Sequence, residues 1–142
     1  AILSLMENQK LVAEGAGAVP VAAALFHKLP IEGKKVVCVI SGGNIDVNIL
    51  SRVITRGLVM SGRKANLTIA LEDKPGQLQR VAEIVSRCGS NVVSVLHDGS
   101  DPSMPISSCF LKLTLETRDA VQIEQIRAEL TKEGFQLVSE RV

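Results

Sequence analysis

The sequence predicts an α/β segment over residues 1–62, a short link at 63–65, and an α+β unit of β-α-β-β-α-β order over residues 66–142. Three observations carry this. Lys35–Ile40 is a run rich in β-branched residues, set between two helical patterns, as central parallel strands are. From Asn66 onward, stretches of alternating apolar and polar residues exchange with stretches of helical spacing, the two periods that separate strand from helix. The apolar inventory is aliphatic: 46% of the 142 residues are hydrophobic and 2% aromatic. Val, Ile, Leu and Ala must therefore fill the core, which suits helices packed on sheets.

In the first segment, Ala1–Met6 reads as the end of a helix, and the chain does not start with Met. Both features point to a piece of something longer, with further strands upstream. Leu11–Glu14 leads into Gly15-Ala16-Gly17-Ala18. Val19–Leu29 reads as a buried helix with Pro20 in its first turn, where the missing N–H costs little. Leu29-Pro30 ends it, and Ile31–Lys34 is a turn. The strand Lys35–Ile40 runs straight into Ser41-Gly42-Gly43-Asn44. Asp46 or Asn48 can then cap a helix in which Ile49, Leu50, Val53, Ile54, Leu58 and Val59 recur at helical spacing. Met60–Lys64 is polar and marks the boundary.

In the second unit, Leu67, Ile69 and Leu71 alternate with Asn66, Thr68 and Ala70, a half-buried strand. Asp73-Lys74-Pro75-Gly76 is a tight turn. Leu78, Val81, Ala82, Ile84 and Val85 mark an amphipathic helix with Gly89 as its left-handed cap. Asn91–His97 is the second strand and Asp98–Ser107 a loop. Ser108–Glu116 alternates again through Cys109, Leu111, Leu113 and Leu115. Val121, Ile123, Ile126 and Leu130 give a second helix ending at Gly134, and Phe135–Ser139 is the last strand. This is the ferredoxin-like order, in which four antiparallel strands carry both helices on one face.

Composition excludes several classes of function. The net charge is +1, divided as +2 over residues 1–62 and −1 beyond. Neither part has the field that attracts nucleic acid or anionic membrane, so neither is an expected partner. No apolar stretch reaches the ~18 residues of a membrane span, and no signal peptide is visible. Cys38, Cys88 and Cys109 form no C-x-x-C pair, and His27 and His97 have no second ligand at sequence spacing. No metal site is expected, and the cysteine usage suits a reducing, cytoplasmic setting.

Two motifs in the first segment can bring backbone close to a ligand: Glu14-Gly15-Ala16-Gly17, and Ser41-Gly42-Gly43-Asn44 at the end of a parallel strand, the side on which open α/β sheets bind ligands. Each also has a purely structural reading, as tight helix packing or a common strand-to-helix turn. Taken together, "LVAEGAGAVPVAAAL" and "VVCVISGGNID" resemble the end of the catalytic domain of fold-type-II pyridoxal-phosphate enzymes, above all the threonine ammonia-lyases and their serine dehydratase and serine racemase relatives. The resemblance implies pyridoxal phosphate as cofactor, with Ser41 facing its pyridine nitrogen, Glu14 near its ring, and Gly42 and Gly43 forming the turn. A neutral hydroxyl beside that nitrogen leaves it largely unprotonated, a weaker electron sink that favours elimination. The family's cofactor lysine, in an S-F-K-x-R-G context, and its four-glycine phosphate loop are not in this chain. Lys10, Lys28, Lys34 and Lys35 lack that context. No catalytic residue is therefore assigned here, and the chain alone is expected to be inactive.

The turn Asp73-Lys74-Pro75-Gly76-Gln77-Leu78, followed by Gly89-Ser90-Asn91, resembles the ACT domain, with its D-x-P-G-x-L turn and later G-x-N. The resemblance covers Asn66 to Val142. It implies homo-oligomers paired through this domain and an amino-acid effector bound between them, with Asp73, Gly76, Gln77, Leu78 and Asn91 at the site. Backbone N–H groups at a helix start suit a carboxylate, and an acidic side chain suits an ammonium. The structural reading of Asp73 is a helix cap, and of Asn91 a turn residue. The implied parent enzyme converts L-threonine to 2-oxobutanoate and ammonia under allosteric control, with isoleucine, valine, threonine or serine as effector. A second reading is a stand-alone amino-acid sensor with no catalytic role. RNA binding, the third, needs aromatics on the open sheet face. Phe26, Phe110 and Phe135 are the only aromatics, so it is set aside.

Overall fold

A computed structural model of the chain describes residues 1–102 and 104–138, and these form two compact units, Ala1–Gly57 and Leu58–Val142. The division falls five residues before the expected one, because Gly62 and Arg63 bond into the second unit. Thr117 Oγ1 donates to the Gly62 carbonyl at 2.7 Å, and Thr117 N donates to the Arg63 carbonyl at 3.0 Å. Lys64 and Ala65, read as link, already belong to the first strand.

The first unit opens on α1 (Ile2–Ser4) and a π-helical turn, Leu5–Gln9, closed by Lys10 in the left-handed conformation. Helix α2 spans Gly15–Leu25, four residues earlier than expected at both ends, so Pro20 lies inside it rather than in its first turn. The end has a local cause. His27 adopts φ 51, and the N–H groups of His27 and Lys28 return to the carbonyls of Ala24 and Ala23. This is the bonding of a Schellman motif, here with His in the place usually held by Gly. Helix α3 (Val47–Met60) starts where Asp46 Oδ1 accepts from Asn48 N at 2.8 Å and Ile49 N at 3.2 Å, so Asp46 is the cap.

The expected strand Lys35–Ile40 does not form. A strand exists only through hydrogen bonds to a neighbour, and none of residues 1–57 is in a strand. Val37 is 89% exposed and Val39 69%. The buried centre of this unit is small: Leu5, Ala13 and Ala18, with Ile2, Val21 and Ile40 against them.

The second unit follows the expected order: β1 (Lys64–Glu72), α4 (Gln77–Arg87), β2 (Asn91–Asp98), β3 (Ser108–Glu116), α5 (Ala120–Lys132) and β4 (Gln136–Val138). The expected last strand extends to Ser139, which lies outside the described residues. The sheet order is β2-β3-β1-β4, all pairs antiparallel, the ferredoxin-like arrangement. One sheet face (Leu67, Ile69, Leu111, Leu113, Leu115) packs on Val81, Ile84 and Val85 of α4 and Ile126 and Leu130 of α5. Asp119 caps α5 by accepting from Gln122 N at 2.8 Å. The β2–β3 ladder shifts register between Val92 and Ser94, so an extra residue, Val93, sits in β2. No helix among the described residues is long and apolar enough to cross a membrane.

Candidate functional site

In the first unit the two glycine-bearing motifs meet. Glu14 N donates to the Gly42 carbonyl at 3.0 Å, and Glu14 is the N-cap residue of α2 with extended backbone. The approach is close enough to require glycine. A Cβ on Gly17 would lie 2.6 Å from Gly42 O, one on Gly42 would lie 2.7 Å from Glu14 Oε1, and one on Gly43 would lie 2.7 Å from Val12 O. Glu14 is half-buried and Ser41 exposed. Four expected residues, Glu14, Ser41, Gly42 and Gly43, thus gather in one place although 27 positions separate Glu14 from Ser41.

In the second unit the turn after β1 is held by Asp73 N donating to the Ser107 carbonyl at 2.8 Å. Gly76 has φ 90, a conformation open mainly to glycine, and it starts α4 with no side-chain cap. Asp73 is therefore not the helix cap that its structural reading proposed. Gln77 N donates to the Lys74 carbonyl at 3.4 Å, while the next N–H groups of the first turn and the positive end of the helix dipole are left for another acceptor. Beside them lies a pocket of about 80 Å³ lined by Leu71, Asp73, Lys74, Gln77, Leu78, His97 and Leu111. Three of the expected effector residues, Asp73, Gln77 and Leu78, border it, and Gly76 sits at its helix start.

Asn91 does not. It opens β2 opposite Glu116, whose Oε2 accepts from Asn91 Nδ2 at 3.1 Å. Asp73 lies at the other end of the sheet, just past the Glu72–Ser108 pair. Eight residues of strand separate the two ends, roughly 26 Å, so one chain does not bring Asn91 and Asp73 into the same cleft.

Sequence spacing offers His97 no carboxylate or second His as a ligand partner and makes it a surface residue; it is exposed, but the fold brings a carboxylate to it. Its Nε2 lies 3.3 Å from Asp73 Oδ1, with both side chains about half exposed. Cys109 completes the group: one ligand-type atom from each of Asp73, His97 and Cys109 lies within 4.8 Å of the others. Pairing explains the meeting. His97 is opposite Leu111, and Leu71 is opposite Cys109, and paired residues share a sheet face. Asp73 follows Leu71 by two, keeping its parity. Burial pushes the buried Cys109 thiol above its ordinary pKa, and the Asp73 carboxylate adds to the push.

A four-stranded antiparallel sheet of this order, with both helices on one face, gives the second unit a ferredoxin-like fold, and its D-x-P-G-x-L turn leads into a helix with no side-chain cap. No family model matches the chain. The ACT domain of a GTP pyrophosphokinase from Chlorobium tepidum aligns with 53% of this chain and 96% of its own, at 15% identity and a TM-score of 0.41. Among curated proteins the similarity is far stronger. L-threonine ammonia-lyase of Thermotoga maritima is 49% identical over 137 residues, 96% of this chain and 34% of the relative. That of Geobacter sulfurreducens is 42% identical over 135 residues, 95% of this chain and 34% of the relative. A biosynthetic L-threonine dehydratase of Halalkalibacterium halodurans is 41% identical over 78 residues, 55% of this chain and 19% of the relative. The chain is thus similar, over nearly its whole length, to these two L-threonine ammonia-lyases. It spans about a third of the length of the first two relatives.

Proposed function

We propose that the chain is the regulatory portion of a pyridoxal-phosphate-dependent threonine ammonia-lyase, whose ACT unit binds an amino-acid effector and pairs with a second copy of itself. The observation that carries this reading is the turn at Asp73–Leu78. It puts an uncapped helix start and a carboxylate on either side of an apolar pocket, a match for the carboxylate, ammonium and aliphatic side chain of a small amino acid. At about 80 Å³ the pocket is smaller than the roughly 300 Å³ of a typical small-molecule site. A second copy would supply the remaining wall, and with it an Asn91 that the same chain holds too far away.

In the first unit, the apposition of Glu14 with Gly42 and the exposure of Ser41 beside Gly42 fit one side of a pyridoxal-phosphate site. Ser41 would face the pyridine nitrogen and Glu14 the ring, while the lysine and phosphate loop of the family pattern have no counterpart in this chain. When bound, the cofactor supplies an electron sink for eliminating the β-substituent of threonine or serine. The chain by itself is expected to release no 2-oxobutanoate from threonine.

The test is calorimetry with isoleucine, valine, threonine and serine, alongside light scattering at tens of micromolar. The expected result is a dimer or larger that binds one of the four. Asp73→Ala and Asn91→Ala should each weaken binding roughly ten- to a hundred-fold, as the loss of one charged hydrogen bond implies. Affinity unchanged in both variants would displace the site, and a clean monomer would remove the shared pocket.

A further inference from the structure

We propose that Asp73, His97 and Cys109 form a three-ligand site for a divalent cation of the zinc class, with one coordination position left to solvent. The donor set is the first argument. An imidazole nitrogen, a thiol sulfur and a carboxylate oxygen are the ligand types zinc takes, and three protein ligands with an open fourth position are its usual arrangement outside closed structural sites. Magnesium and calcium call for oxygen ligands and have no use for the sulfur.

Geometry is the second argument. Ligand atoms at zinc's bond lengths stand roughly 3.3–3.8 Å apart around a tetrahedron. His97 Nε2 and Asp73 Oδ1 are already 3.3 Å apart, and all three ligand atoms lie within 4.8 Å of one another. Drawing them onto a cation takes an adjustment of about 1 Å, within reach of two half-exposed side chains. Cys109 is the fixed member: it has no exposure and sits in β3 opposite Leu71. The cation would rest on its sulfur, with Asp73 and His97 closing over it from the solvent side.

The backbone is organised for this meeting, which is the third argument. The ligands come from three different elements: the turn after β1, the end of β2 and the start of β3. His97 joins them only because the register shift at Val93 moves the last residues of β2 by one place. Without that extra residue, period-two alternation would send His97 to the opposite face of the sheet. The Asp73 N–H bond to the Ser107 carbonyl anchors the turn from the side of Cys109. Binding displaces the thiol proton to solvent, so cation affinity should rise with pH as that proton becomes easier to remove.

The inference is separate from the effector reading, since the cation is measured with no amino acid present. Cobalt(II) is the probe, titrated into the reduced chain, because a thiolate ligand gives it a near-ultraviolet charge-transfer band. The expected result is one cobalt per chain with that band, displaced by zinc. The double variant Cys38→Ser/Cys88→Ser, in which Cys109 is the sole thiol, should keep the band, and Cys109→Ser should lose it. His97→Ala should weaken binding by at least about tenfold, the lower end of what even an outer-shell partner of a bound metal costs. If Cys109→Ser fails to fold, the double variant still decides the sulfur and His97→Ala the imidazole. No band at millimolar cobalt, a band lost in the double variant, or full affinity in His97→Ala would overturn the proposal.

Discussion

The two units face the same physical problem and solve it to different degrees. In the second unit the alternations of β1 and β3 find partners: Leu67, Ile69, Leu113 and Leu115 of the sheet meet Val81, Val85, Ile126 and Leu130 of the helices, each 3% exposed or less. In the first unit the apolar run at 35–40 finds one only at Ile40, while Val36, Val37 and Val39 stay exposed, and the buried centre reduces to Leu5, Ala13 and Ala18. The difference teaches what a hydrophobic pattern promises. An alternating strand beside an amphipathic helix can complete its burial within some 75 residues. A continuous β-branched run promises burial on both faces, and residues 1–57 supply neither the flanking strands nor the covering helices.

The largest test of this contrast is a pair of truncations. Leu115→Ala empties a position with no exposure and is expected to cost about 2–5 kcal/mol in chemical denaturation. Val37→Ala removes methyl groups from a side chain that is 89% exposed and should stay within about 0.5 kcal/mol. Similar losses for the two would mean that the run at 35–40 is covered in solution, and the contrast would fail.

A smaller effect probes the one place where the first unit is tightly built. Gly17→Ala would ordinarily stabilise a helix interior by about 1 kcal/mol. Here the new Cβ would meet the Gly42 carbonyl oxygen at 2.6 Å, backbone against backbone, so the sign should reverse. Gly15→Ala, in the same helix with nothing within 4 Å of its Cβ position, is the control. A gain in thermal stability from Gly17→Ala would show that the glutamate and serine motifs do not touch.

The order β-α-β-β-α-β was legible because β1 and β3 each have one buried face and each helix has buried apolar residues at helical spacing. Even there, helix spacing put Val121 in the core, yet Val121 is 64% exposed and its neighbour Gln122 is buried at 3%. The glutamine earns that place through bonds that no hydropathy scale records: it accepts from Arg118 N at 2.6 Å and donates to the Cys88 carbonyl at 2.8 Å. The early start of α2 was hidden because Gly15-Ala16-Gly17 reads as a loop until its neighbour Gly42 is known. Of the candidate sites, the turn at Asp73 and the meeting of Glu14 with Gly42 follow from short motifs. The Asp73–His97 contact does not, since it depends on a register shift at Val93 that breaks strand alternation without marking the sequence.

The smallest expected effect is a pH dependence that belongs to the second unit. Asp98 accepts from Lys112 Nζ at 3.0 Å and from Ser100 Oγ at 2.9 Å, and these bonds, the Lys112 one first, hold its carboxyl down at about 2. Asp119 is lowered too, chiefly by the Gln122 N–H it caps. A carboxyl whose pKa is depressed by folding contributes stability that is fully present above its unfolded pKa and lost as pH falls through the folded one. For Asp98 the window lies between the ordinary value of 3.8 and about 2. Amide protection factors, taken relative to the intrinsic exchange rate at each pH, should therefore fall down that range in β2, β3 and α5, with no matching change assigned to α2. Asp98→Asn keeps a hydrogen-bond acceptor but removes the titration, so it should flatten the acid limb without altering stability near neutrality by more than a surface pair does. Both side chains are exposed enough for salt to screen them, so raising ionic strength should shrink the same limb. An acid limb of equal slope in Asp98→Asn would place the titrating groups elsewhere, and one confined to residues 1–57 would invert the comparison between the units.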